Sequence, residues 1–159
     1  MLCEAASREK AALQERTGAV SPPVEDTPGA GRSVMTVHFP RGVPGFPGSR
    51  DYELVAPPDA AGPFLVLRGC AREAPSFVTV AVEQPGRLFD RAEIDEAVAA
   101  LGGSGRDLLV LLMVGGGDGE QLHVNVRAPV FIDVHTRSGA QIVLSTPRHP
   151  LRAPLQPGP

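Results

Sequence analysis

Glycine and proline interrupt this chain so often that long helices find little room in it. Together they supply 35 of the 159 residues, about 22%, where about 12% is usual. They are the least favoured residues in a helix interior, so the punctuation argues against a helical bundle. No glycine recurs at every third position, which excludes a collagen-like coil. With no Trp, one Tyr and six Phe, the core must be built mainly from aliphatic side chains. A chain of this length ordinarily folds as one domain around such a core.

Several classes of function fall away on composition. A membrane helix needs about 18 consecutive apolar residues, and the longest apolar run here is Leu108 to Val114. The first ten residues carry Glu4, Arg8, Glu9 and Lys10 in place of the apolar stretch of a secretory signal. A net charge of −3 and a pI near 5.8 give no reason to expect direct contact with nucleic acid. Cys3 and Cys70 allow one disulfide at most.

Three zones follow from the residue pattern. Residues 1–33 read as a mobile Pro/Gly-rich extension. A helix-like stretch, Ser7 to Arg16, is stopped there by Gly18, and five further Pro and Gly residues follow before Arg32. Such a segment buries too little apolar surface to offset the entropy of ordering it. Residues 34–155 read as the folded domain, and 156–159 as a disordered tail. From Pro147 onward the chain has five prolines, two arginines and no acid. It is expected to be extended and anchored through Leu151 and Leu155.

Within the domain, short β-rich runs alternate with turn residues. They are Val34–Phe39, Tyr52–Val55, Phe64–Leu67, Phe77–Val82 and Leu108–Val114, the last apolar throughout as in a strand covered on both faces. Gly115–Gly119 then predicts a hairpin connection. Leu122, Val124 and Val126 alternate with polar residues, as do Val130, Ile132 and Val134. Ser138-Gly139 reads as a turn into a last strand, Ile142–Leu144. One helix interrupts the series: Asp90 and Glu93 have capping-box spacing, Phe89 and Ile94 that of a hydrophobic staple. Ile94, Val98 and Leu101 recur at helical spacing, and Gly102 supplies the stop. The expected fold is mainly β: a small closed or partly open antiparallel barrel or sandwich of about eight strands, with one capped helix and flexible termini.

No catalytic constellation rises from the sequence. His123, Asp133 and His135 could approach a zinc site, which needs three or four convergent ligands. The better reading is that they are outward polar positions of half-buried strands. Gly115–Gly119 lacks the Gly-Lys-Ser/Thr ending of a phosphate loop. Cys70 has no base nominated near it, and Gly102–Gly105 lacks the strand–turn–helix setting of a nucleophile elbow. Asp95 and Glu96 are expected to face solvent.

A series of segments carries a resemblance. Phe39-Pro-Arg-Gly-Val-Pro-Gly-Phe46 resembles the Phe-x-x-Gly-Leu-Pro-Gly-Phe opening of the flagellar assembly factor FliW family. Pro63–Leu67 with Pro75–Phe77, the capped helix ending at Gly102, Asn125–Ile132 with its Ala128-Pro129, and Gln141–Leu144 with Pro150–Arg152 follow in the order of that family. Val43 stands where the family usually has Leu, and His149 where it usually has an aromatic residue. The resemblance spans residues 34–155.

It implies a β-barrel binding protein of the cytoplasm, not an enzyme, expected to be a monomer without cofactor or metal. It is expected to touch neither nucleic acid nor membrane directly. The implied partners are CsrA, a basic translational repressor that the protein would antagonise, and flagellin, for which it would act in a chaperone-like way. Candidate contacts are Phe46 as an apolar anchor, the acids Asp90, Glu93, Asp95 and Glu96 toward basic CsrA, and Asn125, Arg127 and Pro129. Arg148 and Arg152 are candidates to clamp carboxylates of flagellin. Each has a plainer reading. Phe46 could plug the core, Asn125 could bond backbone, and the charges could simply be solvated. Residues 36–145 hold 13 acids and 9 basic residues, a balance suited to steering toward a cationic partner. The alternative function is a barrel that binds a small ligand such as a flavin, which would need a preformed apolar pocket.

Overall fold

The β-rich runs form strands, and the Gly/Pro segments between them turn the chain back on itself. The computed structural model describes residues 31–58, 62–105, 107–117 and 119–155. The strands are β1 (Arg32–His38), β2 (Asp51–Ala56), β3 (Phe64–Gly69), β4 (Ser76–Ala81), β5 (Leu108–Gly115), β6 (His123–Val124), β7 (Val130–Asp133), β8 (Ser138–Gln141) and β9 (Ala153–Pro154). Between β4 and β5 lie two helices, α1 (Pro85–Leu88) and α2 (Arg91–Leu101). The helix-like stretch Ser7–Arg16 and the tail 156–159 lie outside the described residues.

β1 to β4 form an antiparallel meander. β4 pairs with β5, β5 with β7 and β7 with β8, again antiparallel. One parallel pairing, His38 with Ser138, joins β8 back to β1, reinforced by a 2.8 Å bond from the His38 N–H to the Arg137 carbonyl. The result is a closed ring of seven strands. Closure leaves no free ladder edge in the ring to pair with another chain. β6 extends the pairing of β5 beyond the end of β7, and β9 pairs with β6 outside the ring.

β5 explains why the sequence is apolar on both sides of this strand. Leu109, Leu111 and Met113 point into the barrel with Val37, Phe39, Tyr52, Leu54, Leu67, Val130 and Ile132. Leu108, Val110, Leu112 and Val114 point outward into a second core with Phe89, Ala97, Val124, Val126, Phe131 and Leu144. Side chains fill the barrel interior, and the rings of Phe39 and Tyr52 meet edge to face at 5.2 Å. α2 closes the second core. Its fully buried residue is Ala97, while the predicted stripe residues Ile94, Val98 and Leu101 are only half-buried. The small Ala97 lets the helix lie close to the sheet.

The caps of α2 follow the sequence. Asp90 Oδ1 accepts from the Glu93 N–H and Glu93 Oε2 accepts from the Asp90 N–H, both at 2.9 Å. Gly102 ends the helix in the left-handed conformation at φ 66°, as the stop signal predicts.

The structure corrects three strand expectations. The run at Leu122–Val126 shortens to two paired residues, because Asn125 Oδ1 accepts the Ala128 N–H at 3.0 Å and bends the chain away. Ser138-Gly139 is not a turn but the start of β8. The turn comes earlier, where Asp133 Oδ1 accepts the N–H groups of His135 and Thr136 and Arg137 takes φ 56°. Gly139 is glycine because of a close approach: a Cβ there would stand 2.7 Å from Phe39 Cζ and 2.9 Å from Val37 Cγ1. Third, Ile142–Leu144 leaves the ladder, and Val143 is 64% exposed.

Candidate functional site

The capping box of α2 does more than start a helix. Glu93 is 6% exposed, and its carboxylate accepts four hydrogen bonds. Oε2 takes the Asp90 N–H and Arg148 Nη2, each at 2.9 Å. Oε1 takes the Thr146 hydroxyl and His149 Nε2, also each at 2.9 Å. Burial alone would raise this carboxyl, but the Asp90 backbone donor, Thr146, Arg148 and His149 outweigh that cost and bring it to about 2. Arg148 Nε also approaches His149 Nε2 at 3.3 Å. A nitrogen that donates to Glu93 cannot accept there as well, so this is a contact between two donors.

Three of the four donors come from one stretch, Thr146–Leu155, which runs over the second core. His149 is 4% exposed and packs on the Phe89 ring, with centroids 5.4 Å apart. Arg127 Nε donates to the His149 carbonyl at 3.0 Å. The N–H groups of Val126 and Arg127 both donate to the Pro150 carbonyl, and the Leu155 N–H donates to Leu122. β9 then pairs with β6. Arg148 reaches past Glu93 to Asp90 Oδ2 at 3.0 Å, so its guanidinium sits across the first turn of α2.

The predicted contact residues sort into two groups. Asp95 and Glu96 lie exposed on α2, Asp95 beside Arg91 at 3.5 Å. Asp90, Arg148 and Arg152 are exposed as well. Phe46 is 43% exposed in the loop between β1 and β2, its ring edge-on to Phe77 at 5.9 Å. It therefore presents half its surface while the other half rests on the barrel. Glu93, Asn125 and Arg127 instead direct their polar atoms at the protein's own backbone and side chains, and Pro129 is buried.

Sequence reasoning missed His149 and Thr146 as partners of Glu93. They lie more than fifty positions away, and the only local signal was that His149 occupies a position suited to a ring. The zinc candidates do not converge. Asp133 caps its own turn and is held below the usual carboxylate range, first by the Thr136 N–H, then by the His135 N–H against the cost of burial. His135 pairs with Asp107, while His123 lies near Arg152. Among the described residues no group of three or more His, Cys, Asp or Glu side chains stands where it could hold a metal ion. An open depression of about 300 Å³ is lined by Glu120, Gln121, Leu122, His123, Arg152 and Pro154. It is a solvent-facing groove beside β9, separate from the filled barrel interior.

Comparison with known proteins points one way. The family model described as FliW protein matches residues 29–155. The flagellar assembly factor FliW of Geobacillus thermodenitrificans is 29% identical over 127 residues, covering 76% of this chain and 84% of that protein. That of Caldicellulosiruptor bescii is 32% identical over 120 residues, covering 73% and 76% respectively. A crystal structure of the flagellar assembly factor FliW superposes with a TM-score of 0.61 at 27% identity, covering 77% of this chain and 86% of that one.

Proposed function

The chain belongs to the FliW family, and from that premise we propose that it is a flagellar assembly factor working by protein binding rather than catalysis. It binds CsrA and relieves its repression of flagellin messenger RNA. It also binds flagellin, so that cytoplasmic flagellin and CsrA compete for it. Relief of repression requires that the protein hold RNA-free CsrA more tightly than RNA-bound CsrA, since a ligand shifts an equilibrium only through such a difference.

The match to the FliW family over residues 29–155 carries this reading. The exposed acids of α2, Asp95 and Glu96 with Asp90 at the cap, support it by giving a basic partner something to steer toward. Phe46 supplies an aromatic anchor of the kind that interfaces favour. The working unit is the barrel domain from the start of β1 to Leu155, functioning as a monomer in the cytoplasm. β1 takes in Arg32 and Ser33, which the sequence pattern leaves in the extension, and the residues before Gly31 are dispensable.

The purified chain is expected to form complexes with CsrA and with flagellin of the same cell at micromolar concentration in low salt. A chain shortened to begin at Gly31 should bind equally well. Pull-down tests both points: failure of both partners sinks the reading, and loss only on shortening sinks the assignment of the extension. Reversing both exposed acids, Asp95→Lys with Glu96→Lys, should weaken CsrA about tenfold or more at low salt and less at high salt. Titration calorimetry at two ionic strengths measures this, and salt-independent or unchanged binding would place CsrA elsewhere.

A further inference from the structure

We propose that Thr146–Leu155 is a releasable strap, and that Arg148 holds it closed by occupying the first turn of α2 that a basic partner would otherwise take. This rests on the preceding reading that the acidic face of α2 meets a basic protein. The guanidinium already seated there is the observation that the turn accepts a cation. Arg148 Nη2 lies 3.0 Å from Asp90 Oδ2 and 2.9 Å from Glu93 Oε2. An incoming arginine or lysine that claims Asp90 must displace it.

The strap is built to come away without the barrel. Its prolines at 147, 150 and 154 remove three backbone donors, so ladder bonds contribute little. β9 is two residues long. Leu151 is 55% exposed and adds little apolar burial. Attachment therefore rests on one carboxylate, on the bonds from Arg127, Val126 and Leu155, and on the packing of His149, Ala153 and Leu155 at the edge of the second core. Segments held by few apolar contacts open at lower free energy than the core beneath them.

Displacing Arg148 removes one of the three strap donors on Glu93 and weakens the rest. Release uncovers the apolar surface around Phe89 and Val124, over which the strap now runs. By linkage, a basic partner on α2 loosens the strap, and whatever holds the strap open tightens the basic partner by the same factor.

Hydrogen exchange of the full chain reads the strap directly through the amides of Val126, Arg127 and Leu155, which it protects. Arg148→Gln, at a half-exposed position, should speed their exchange roughly tenfold while the amides of β2 and β3 stay unchanged. Thr146→Val should act in the same direction with the charge left in place. Both variants should bind CsrA about three- to tenfold more tightly than the wild type, and CsrA should speed exchange of the same amides in the wild-type chain. The proposal is overturned if these amides exchange only together with the barrel. It is equally overturned if Thr146→Val binds CsrA no tighter, because removal of a like charge alone would then explain Arg148→Gln. A wild-type chain that does not bind CsrA sinks the preceding reading, while the exchange measurements still decide the strap.

Discussion

Glu93→Ala is expected to lower the free energy of unfolding by about 3–5 kcal/mol, the cost typical of removing one partner from a buried ionic network. The substitution leaves the Asp90 N–H, the Thr146 hydroxyl, His149 Nε2 and Arg148 without their shared acceptor. Glu93→Gln distinguishes charge from shape. The amide keeps one acceptor oxygen but turns a donor toward groups that are themselves donors. The pH dependence carries the sign. The Glu93 carboxyl falls from 4.5 to about 2 on folding, so the unfolded chain binds its proton more readily. The stabilisation is full above about pH 4.5 and is lost as pH falls through about 2. Linkage puts it on the order of 3 kcal/mol. Urea unfolding of the wild type at pH 2.5, 4 and 7 should show this slope, and Glu93→Gln should flatten it. Parallel slopes in the two proteins would show that other carboxylates carry the acid sensitivity, Asp133 and Glu53 first among them, since both are also lowered on folding.

Phe39→Ala should cost a similar amount, about 3–5 kcal/mol, by opening a cavity in the barrel. The ring is fully buried, sits edge-on to Tyr52, and lies where only a glycine at position 139 leaves room for it. Its backbone also fixes the loop that carries Phe46: the Phe39 N–H donates to Arg50 at 2.7 Å and its carbonyl accepts the Gly42 N–H at 2.9 Å. Denaturant unfolding with an unchanged m-value would read the loss as stability alone. A loss below about 1 kcal/mol would show that the barrel closes over the gap. If Phe46 anchors a partner, the same variant should weaken that partner even at temperatures where the barrel remains folded.

The local rules of the chain were legible to different degrees. Capping spacing placed α2 to within a residue, because a cap is written in residues three apart. The two-faced apolar run of β5 was equally plain, since coverage on both sides leaves no polar alternation. Ser138-Gly139 misled, because Ser-Gly ordinarily marks a turn. Here the glycine answers the ring of Phe39, about a hundred positions earlier. The acids of α2 looked alike in sequence, yet Asp95 and Glu96 face water while Glu93 faces inward. A helix rotates successive side chains by about 100°, and without knowing where the sheet lies no pattern tells which acid is covered.

The sequence by itself determined a β-rich fold with short turns, one capped helix and a core poor in aromatic residues, because these follow from propensities and spacings within a few residues. Its motifs also placed the chain in its family. Only the tertiary structure decided that the strands close into a seven-membered ring, that a single parallel contact completes it, and that one capping carboxylate gathers Thr146, Arg148 and His149. Closure and gathering depend on contacts between residues far apart in the chain. Such contacts form only when the intervening elements have packed, so no local window of sequence contains them.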